Sequence, residues 1–168
     1  MRRLVLSITA AAVVLGMVAG PVAARTAPPA NIADIAIAAS KADPGEFKTL
    51  VAAVLAADPA VLATLSKQRQ LTVFAPTDAA FAIAGYTPEN IAKVGEAALT
   101  NILLYHVAPG ARYAEDVVSS SQIRTLQRGF LSVSIVDGSP YVNDSKIIKT
   151  DIMATNGVIH VIDAVLMP

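Results

Sequence analysis

The first half of the chain carries apolar residues at helical spacing. Between Phe47 and Leu55 the apolar side chains fall at positions i, i+3, i+4, i+7 and i+8, which predicts one buried face of a helix. Residues that commonly cap helices mark further helix starts, and proline follows the cap in three cases. The predicted caps are Asn31, Asp43, Asp58, Thr77 or Asp78, and Thr87. We expect the last of these helices to run without a break into Tyr105-His106.

Beyond Gly110 the spacing changes from helical to alternating. The segment "FLSVSIV" at 130–136 alternates apolar and polar residues, and Asp137-Gly138 after it is a hairpin signal. Short strand-like segments follow as far as "GVIHVIDAVL", and one earlier strand, "LTVFA", is predicted at 71–75. Helices followed by an antiparallel meander predict an α+β fold, with the helices packed against one or two small sheets.

The last predicted strand contains two polar residues, His160 and Asp163, in an otherwise apolar run. Strand alternation places them on opposite faces, so they cannot form a catalytic pair with each other. Asn156-Gly157 is predicted to be the turn into this strand, which is apolar on both faces and therefore central. We expect Asp163 to accept backbone hydrogen bonds, and Asp163→Leu to destabilise the protein more than His160→Leu.

The start of the chain explains why the composition is so apolar, with 54% hydrophobic and 15% charged residues. Arg2-Arg3, an apolar stretch at 4–20 and small residues before Arg25 are typical of a secretory signal peptide, residues 1–24. A membrane anchor is the alternative, but it needs about 20 apolar residues, and glycine and proline interrupt this stretch. We therefore expect a secreted or periplasmic protein without a stable membrane span after cleavage.

The rest of the chain is expected to be a disordered lead-in at residues 25–30 and one domain at 31–168. Loss of Arg2 and Arg3 from 13 basic residues leaves 11, against 13 acidic ones, and no basic stripe favours a nucleic-acid partner. The chain has no cysteine, which excludes disulfides, thiol nucleophiles and cysteine zinc sites.

Candidate chemistry is sparse, because the chain has only two histidines and they lie on different elements. No zinc-binding helix motif, nucleophile elbow or glycine-rich phosphate loop accompanies them. His106 lies seven residues after Leu99 on an apolar helical face, where an imidazole commonly bonds the free carbonyls of a helix end. We expect no catalytic residue, no metal site and no cofactor.

Three stretches together resemble the signature motifs of the fasciclin domain family, in that family's order and spacing: "LTVFAPTDAAF" at 71–81, "LLYHVAPG" at 103–110 and "TNGVIHVIDAVLMP" at 155–168. The resemblance implies N-terminal helices packed against a wedge of two small, mainly antiparallel β-sheets. It also implies an extracellular module for adhesion or matrix contact rather than catalysis. The motif positions expected to serve the fold are Thr77, Asp78, Asn156, Gly157, His160 and Asp163.

The resemblance also implies candidate partner-binding residues. Tyr105 and His106 match a tyrosine-histidine pair that is associated with integrin-mediated adhesion in some animal members. Asp151, Ile152 and Met153 match a second adhesive stretch, although Lys149-Thr150 replaces the acid-proline pair that precedes it in an animal member. The alternative is that both stretches determine the fold.

These observations lead to an expected function with two rivals. We expect a secreted, non-enzymatic adhesion or protein-interaction domain of the cell envelope or extracellular matrix. Its partner would be an extracellular or envelope protein or polysaccharide. One rival is an exported polysaccharide-binding protein or hydrolase with a cleft between helices and sheet. The other is an envelope spacer without a single partner.

Overall fold

The structure is a computed structural model that describes residues 30–42 and 46–168. The predicted signal peptide, nearly all of the predicted lead-in and the predicted cap Asp43 lie outside the described residues. The helices are α1 (Ile32–Lys41), α2 (Lys48–Ala56), α3 (Pro59–Ser66), α4 (Asp78–Ile83), α5 (Glu96–Tyr105) and α6 (Ala114–Ser119). The strands are β1 (Leu71–Pro76), β2 (Val107–Pro109), β3 (Gln122–Arg124), β4 (Phe130–Val136), β5 (Ser139–Val142), β6 (Ser145–Ala154) and β7 (Gly157–Ile162).

Three predicted caps begin helices in the structure. The Asn31 side chain accepts the backbone N–H of Asp34 at 3.0 Å, and the Asp34 carboxylate accepts the N–H of Asn31 in return. Asp58 accepts the N–H of the second residue of α3 at 2.7 Å, and Thr77 caps α4 through the N–H of Ala80 at 3.1 Å. These side chains satisfy donors that the first helical turn leaves free, so the predictions of α1, α3 and α4 are confirmed.

The helix expected to run unbroken from Thr87 to Tyr105 is interrupted. Residues Ile91–Val94 form a 3₁₀ turn, and α5 begins only at Glu96. Between them Gly95 has a φ of +95°, a conformation that ends the first turn and that glycine adopts without a steric cost. The prediction of one continuous helix was therefore wrong.

The strands form one seven-stranded sheet in the order β2-β1-β7-β6-β5-β4-β3, so the expected wedge of two small sheets is wrong. The strands β1 and β7 pair in parallel from Leu71 opposite Gly157 to Pro76 opposite Ile162. The remaining neighbours pair antiparallel. Because β7 lies between β1 and β6, it joins the early strands to the C-terminal meander and makes the sheet continuous.

Both faces of the central strands are covered, as the apolar pattern of β7 predicts. Every residue of β1 and β7 is buried. On one face Val73 and Ile159 belong to a cluster with the side chains of α1, α2, α3 and α5. On the other face Phe74 and Ile162 pack in a second cluster with residues of β4, β5 and β6. The first cluster packs α1, α2 and α3 against one face of β7, and the second packs the meander, with Tyr105 of α5 and Val117 of α6, against the other face.

No helix within the described residues is by itself long and apolar enough to cross a membrane. The pair α2 and α3 reaches that length and composition only when the two are taken together, and they meet at a bend of 119°.

Candidate functional site

The tyrosine of the predicted partner-binding pair lies in the core. Tyr105 is 7% exposed and belongs to the second cluster. Its hydroxyl donates to the Phe130 carbonyl at 3.0 Å and accepts from the Asn143 side-chain amide at 3.3 Å. A buried hydroxyl with two partners is satisfied where it is. Tyr105 therefore links α5 to β4 and to the turn between β5 and β6.

The histidine of the pair is buried as well, at the C-terminal end of α5. His106 Nδ1 lies 2.9 Å from the Ile102 carbonyl, and Nε2 accepts the backbone N–H of Leu166 at 2.9 Å. Burial lowers the pKa of His106 to about 4, against a smaller opposing effect of the Ile102 carbonyl. The imidazole is thus neutral with its proton on Nδ1. It holds the C-terminal segment against the helix end.

Burial conflicts with the predicted partner contact of Tyr105 and His106. The two side chains are 7% and 2% exposed, and every polar atom of theirs is already hydrogen-bonded within the chain. A partner could reach them only after the core opened. The structure therefore gives them a role in the fold, which is the alternative that the apolar helical spacing of His106 favoured.

The second predicted stretch, Asp151, Ile152 and Met153, lies on an irregular part of β6, and its three side chains have different surroundings. The register against β7 shifts on either side of Lys149, and Asp151 has a φ of +57°. Asp151 is exposed, and its carboxylate accepts the N–H of Ala114 at 2.9 Å. Ile152 is half-buried against the first core cluster. Met153 is 69% exposed, so Asp151 and Met153 are the residues of this stretch that face solvent.

His160 supports this part of the surface from below. It is fully buried and stacks on Phe74, with 5.7 Å between the ring centroids. Its Nε2 donates to the Arg112 carbonyl at 2.9 Å, and its Nδ1 accepts the N–H of Asp151 at 3.4 Å. Burial lowers the pKa of His160, so the ring is neutral. His160 joins the loop before α6 to the irregular part of β6.

The residues brought together above His160 line an open depression of about 560 Å³. Tyr113 and Met153 supply exposed apolar surface, at 43% and 69% exposure. Three carboxylates lie with them, and none of the lining residues that the structure describes is basic. We call this set the acidic depression, and its lining residues are Tyr113, Ala114, Glu115, Asp116, Asp151 and Met153.

The sequence did not predict the half of the acidic depression that α6 contributes. This helix has six residues, too few to show a helical period. The available local signal was Asp116, whose carboxylate accepts the N–H of Tyr113 at 3.0 Å in the manner of a helix cap. The contact with Asp151 joins positions 37 residues apart, and local spacing carries no information about it.

The other predicted motif residues hold elements together. Asp78 accepts the N–H groups of Lys48 and Thr49 at 3.1 and 2.7 Å and so caps α2 from a distance. Asp163 is exposed one residue beyond β7, and it accepts the N–H of Lys146 at 2.8 Å. The structure agrees with the expectation that this aspartate accepts a backbone N–H. It does not agree with the expectation that Asp163 lies inside a buried strand.

Asn156 and Gly157 form the turn into β7 and also contact distant segments of the chain. The Asn156 side chain is 2% exposed, accepts the N–H of Ile32 at 2.9 Å and donates to the carbonyls of Leu65 and Lys67 at 2.7 and 2.9 Å. It thereby joins α1, the end of α3 and the start of β7. At Gly157, with a φ of +152°, an added Cβ would overlap the backbone of Leu71 in the paired strand. Only glycine allows this approach.

A sequence model of the fasciclin domain matches residues 45–168 of this chain. The chain belongs to the fasciclin domain family. Its solved relatives include the domain pair of the insect cell adhesion molecule fasciclin I, with a TM-score of 0.56 and 18% identity over 74% of this chain and 46% of that one. At this identity the likeness supports the fold.

Curated fasciclin relatives come from bacteria and animals. Protein sll1483 of Synechocystis is 39% identical over 64% of this chain, and immunogenic protein MPB70 of Mycobacterium bovis is 35% identical over 59% of it. Human periostin is 34% identical over 62% of this chain. The chain covers 61% of the Synechocystis protein, 50% of MPB70 and 13% of periostin.

The fasciclin fold of this chain also has a cleft between helices and sheet, the feature on which the rival function depends. Its wall residues in the described part of the chain are apolar, apart from His106, whose two nitrogens are already hydrogen-bonded. Sugars and hydrolytic transition states are held by convergent polar groups. Within residues 30–42 and 46–168, no group of three histidine, aspartate or glutamate side chains is placed to hold a metal ion.

Proposed function

We propose that this fasciclin domain is an exported, non-enzymatic protein-interaction or adhesion domain of the cell envelope or extracellular matrix, and that it binds its partner through the acidic depression. The N-terminal basic-then-apolar pattern supports export to the periplasm or beyond. The insect relative fasciclin I is a cell adhesion molecule, and this supports an adhesive role.

The observation that carries the proposal is the exposure of Met153 and Tyr113 between three carboxylates. A methionine that is 69% exposed beside a half-exposed tyrosine is apolar surface that a partner can cover. Methionine and tyrosine adapt well to protein interfaces, since both give large contact areas. The flanking Glu115, Asp116 and Asp151 would attract a basic surface and orient it during encounter. The expected partner is therefore an extracellular or envelope protein with a basic and apolar contact patch.

The contact surface is also held in one shape. The Asp151 carboxylate accepts the backbone N–H of Ala114, the first residue of α6. His160 joins both halves of the depression from below. A preorganised surface loses less conformational entropy when a partner binds. The function of His160 in this proposal is to position the two halves.

Crosslinking capture from the native envelope and medium tests the proposal. The variants Met153→Ala and Glu115→Lys should each reduce capture of the partner by tenfold or more. Ile148→Ala is the matched control for the first, because Ile148 is 52% exposed on the same strand but lies outside the depression. Glu89→Lys, an exposed charge reversal outside the depression, is the control for the second.

Both control variants should capture the partner as the wild type does. Circular dichroism must show that all four variants fold. Unchanged capture by folded Met153→Ala and Glu115→Lys would reject the acidic depression as the contact surface.

Export is tested separately by N-terminal sequencing of the protein recovered from its producing cells. A first residue of Arg25 is expected, and an uncleaved Met1 would contradict it.

A further inference from the structure

His160 lies under the acidic depression and bonds to both of its halves. Nε2 of the ring donates to the carbonyl of Arg112, in the loop before α6, at 2.9 Å. Nδ1 accepts the backbone N–H of Asp151, in β6, at 3.4 Å. The ring thus donates at one nitrogen and accepts at the other, which requires a neutral imidazole with its proton on Nε2. The bond to β6 therefore depends on the protonation state of His160.

The strand β6 has a bulge opposite this ring. The register between β6 and β7 shifts between Lys149 and Ile152, so that two residues of β6 lie opposite the single residue His160. Asp151 is one of the two, and its φ of +57° departs from the extended conformation of a strand. An extra residue of this kind is left outside the regular pairing of a sheet. Asp151 can therefore change position while the strand pairs on either side of it persist.

Protonation of His160 would act on one half of the depression only. A protonated imidazole carries an N–H at both nitrogens and accepts at neither. Its Nε2 would still donate to the Arg112 carbonyl, so the loop before α6 stays attached. At Nδ1 the new N–H would face the backbone N–H of Asp151, and that bond would be lost. The carboxylate of Asp151, which accepts the N–H of Ala114 at 2.9 Å in the neutral protein, is an acceptor for the new N–H.

The charges around His160 determine when it takes up a proton. The ionisable side chains of the elements next to it are Arg112, Tyr113, Glu115 and Asp116 in and before α6, and Lys149 and Asp151 in β6. The strands β1 and β7 contribute no other ionisable side chain. Burial lowers the pKa of His160 below 6.5, and the Arg112 carbonyl and the charge of Asp151 oppose this shift. His160 is thus neutral in a neutral medium and takes up a proton as the medium becomes acidic.

We propose that His160 is a proton-operated release of the acidic depression. When the ring is protonated, Asp151 loses its bond to Nδ1, and its carboxylate moves from Ala114 to the ring. The β6 half of the depression, with Met153, then separates from α6. The positive ring also weakens the attraction of the three carboxylates for a basic surface. The release of a partner rests on the function proposed above, whereas the movement of Asp151 is a property of the free protein.

An NMR titration of the full chain, purified as the cell produces it and labelled with ¹⁵N, tests the movement without a partner. The ring nitrogens of His160 and the backbone amides of Asp151 and Ala114 are followed from a pH of about 7.5 to about 5. One shared midpoint below 6.5 is expected, because all three signals report the same proton. A His160 ring that stays neutral throughout this range, or amides that do not follow its midpoint, would overturn the proposal.

Three substitutions separate the effect of His160 from other titrations. His160→Gln keeps an amide that donates and accepts but does not titrate, so the Ala114 amide should no longer shift. Asp151→Asn keeps an acceptor for Ala114 but removes the charge, so the midpoint of His160 should fall. His106→Gln is the matched control, because it removes the other histidine, which bonds to Leu166 outside the depression. This control should leave the midpoint of His160 unchanged.

Circular dichroism reports whether the three variants fold. If His160→Gln does not, Asp151→Asn supplies the comparison, since its side chain is exposed. An Ala114 shift that persists in folded His160→Gln would contradict the proposal. So would a midpoint of His160 that is the same in Asp151→Asn as in the wild type.

Crosslinking capture at two pH values tests the release itself. The wild type should capture about tenfold less partner at a pH of about 5.5 than at about 7.5, whereas capture by His160→Gln should change by less than about twofold. Equal losses in the two proteins would reject His160 as the release. Failure of the depression as a contact surface gives a different result, because Met153→Ala then captures as the wild type does at neutral pH. In that case the NMR titration still decides whether Asp151 moves.

Discussion

Acidification should weaken the fold because His106 must remain neutral inside it. Burial lowers the pKa of its imidazole from 6.5 to about 4, and the nearby Ile102 carbonyl opposes this shift only in part. Protonation at Nε2 would also break the bond from the Leu166 backbone N–H. In the unfolded chain the imidazole titrates at its ordinary value. The unfolded state therefore takes up a proton first as the pH falls, and the equilibrium moves toward it.

The size of the effect follows from the gap between the two pKa values. Above pH 6.5 the contribution of neutral His106 to stability is complete, and it is lost as the pH falls toward 4. One pKa unit corresponds to about 1.4 kcal/mol, so the whole gap amounts to about 3 kcal/mol. At a pH of about 4.5 the expected loss is about 2 kcal/mol. Domains commonly have about 5–15 kcal/mol of total stability, so this loss is readily measured.

Urea denaturation of wild type and His106→Gln, at a pH of about 7 and about 4.5, isolates this contribution. Glutamine keeps an amide that can hydrogen-bond but does not titrate. Carboxyl groups and His160 are common to both proteins, so their contributions cancel in the difference. The free energy of unfolding of the wild type should fall by about 2 kcal/mol more than that of the variant. Equal losses, or an NMR titration of folded His106 near pH 6.5, would refute the reasoning.

Three further predictions concern the structural motif residues and are tested by urea denaturation. Asn156→Ala should cost at least about 2 kcal/mol, because it leaves the buried Ile32 N–H and Leu65 carbonyl without their partner, and a loss below about 0.5 kcal/mol would contradict this. Gly157→Ala should cost more than about 3 kcal/mol, whereas Gly110→Ala, where an added Cβ meets open space, should cost about 1 kcal/mol. Similar midpoints for the two glycine variants would reject the close approach of β1 and β7. His160→Leu should cost about 2 kcal/mol and Asp163→Leu about 1 kcal/mol, the reverse of the order that the sequence suggested, because the histidine is buried between two backbone groups and the aspartate is exposed. The opposite order would support the sequence-based expectation.

Local signals predicted local structure well. The caps at Asn31, Asp58 and Thr77 depend on hydrogen bonds to residues two or three positions away, so spacing reveals them. The Asp137-Gly138 hairpin is equally local, with positive φ angles of 50° and 74° at its two turn residues. In each case the residues that make the contact lie next to one another in the sequence.

Contacts between distant segments were not predictable in this way. The parallel pairing of β1 with β7 joins Leu71 to Gly157, and nothing in either segment specifies parallel rather than antiparallel pairing. The cap of α2 comes from Asp78, 30 residues beyond the helix start at Lys48. For the same reason, the sequence predicted Asp151 and Met153 but not the residues of α6 that lie beside them.

Burial was the second property of the candidate site that the sequence left open. The tyrosine-histidine pair was expected at a contact surface by resemblance, and helical spacing placed His106 in the core. The structure agrees with the spacing, since both residues are buried. Spacing also predicted a buried face on α2 that includes Leu55, but this side chain is 68% exposed. Periodicity identifies the apolar face of a helix, but neighbouring elements decide whether anything covers it.

The central position of β7 has a consequence for the way the chain is made. This strand is the last of the seven in the sequence, yet it lies between β1 and β6 and carries the shared wall of both core clusters. During synthesis β1 can pair with β2, but its other neighbour, β7, begins 86 residues after Leu71, at Gly157. The helices can form early, but the sheet cannot close until β7 has been synthesised. We therefore expect the nascent domain to remain open and dependent on chaperones until β7 emerges, after which its largely non-local contacts form together.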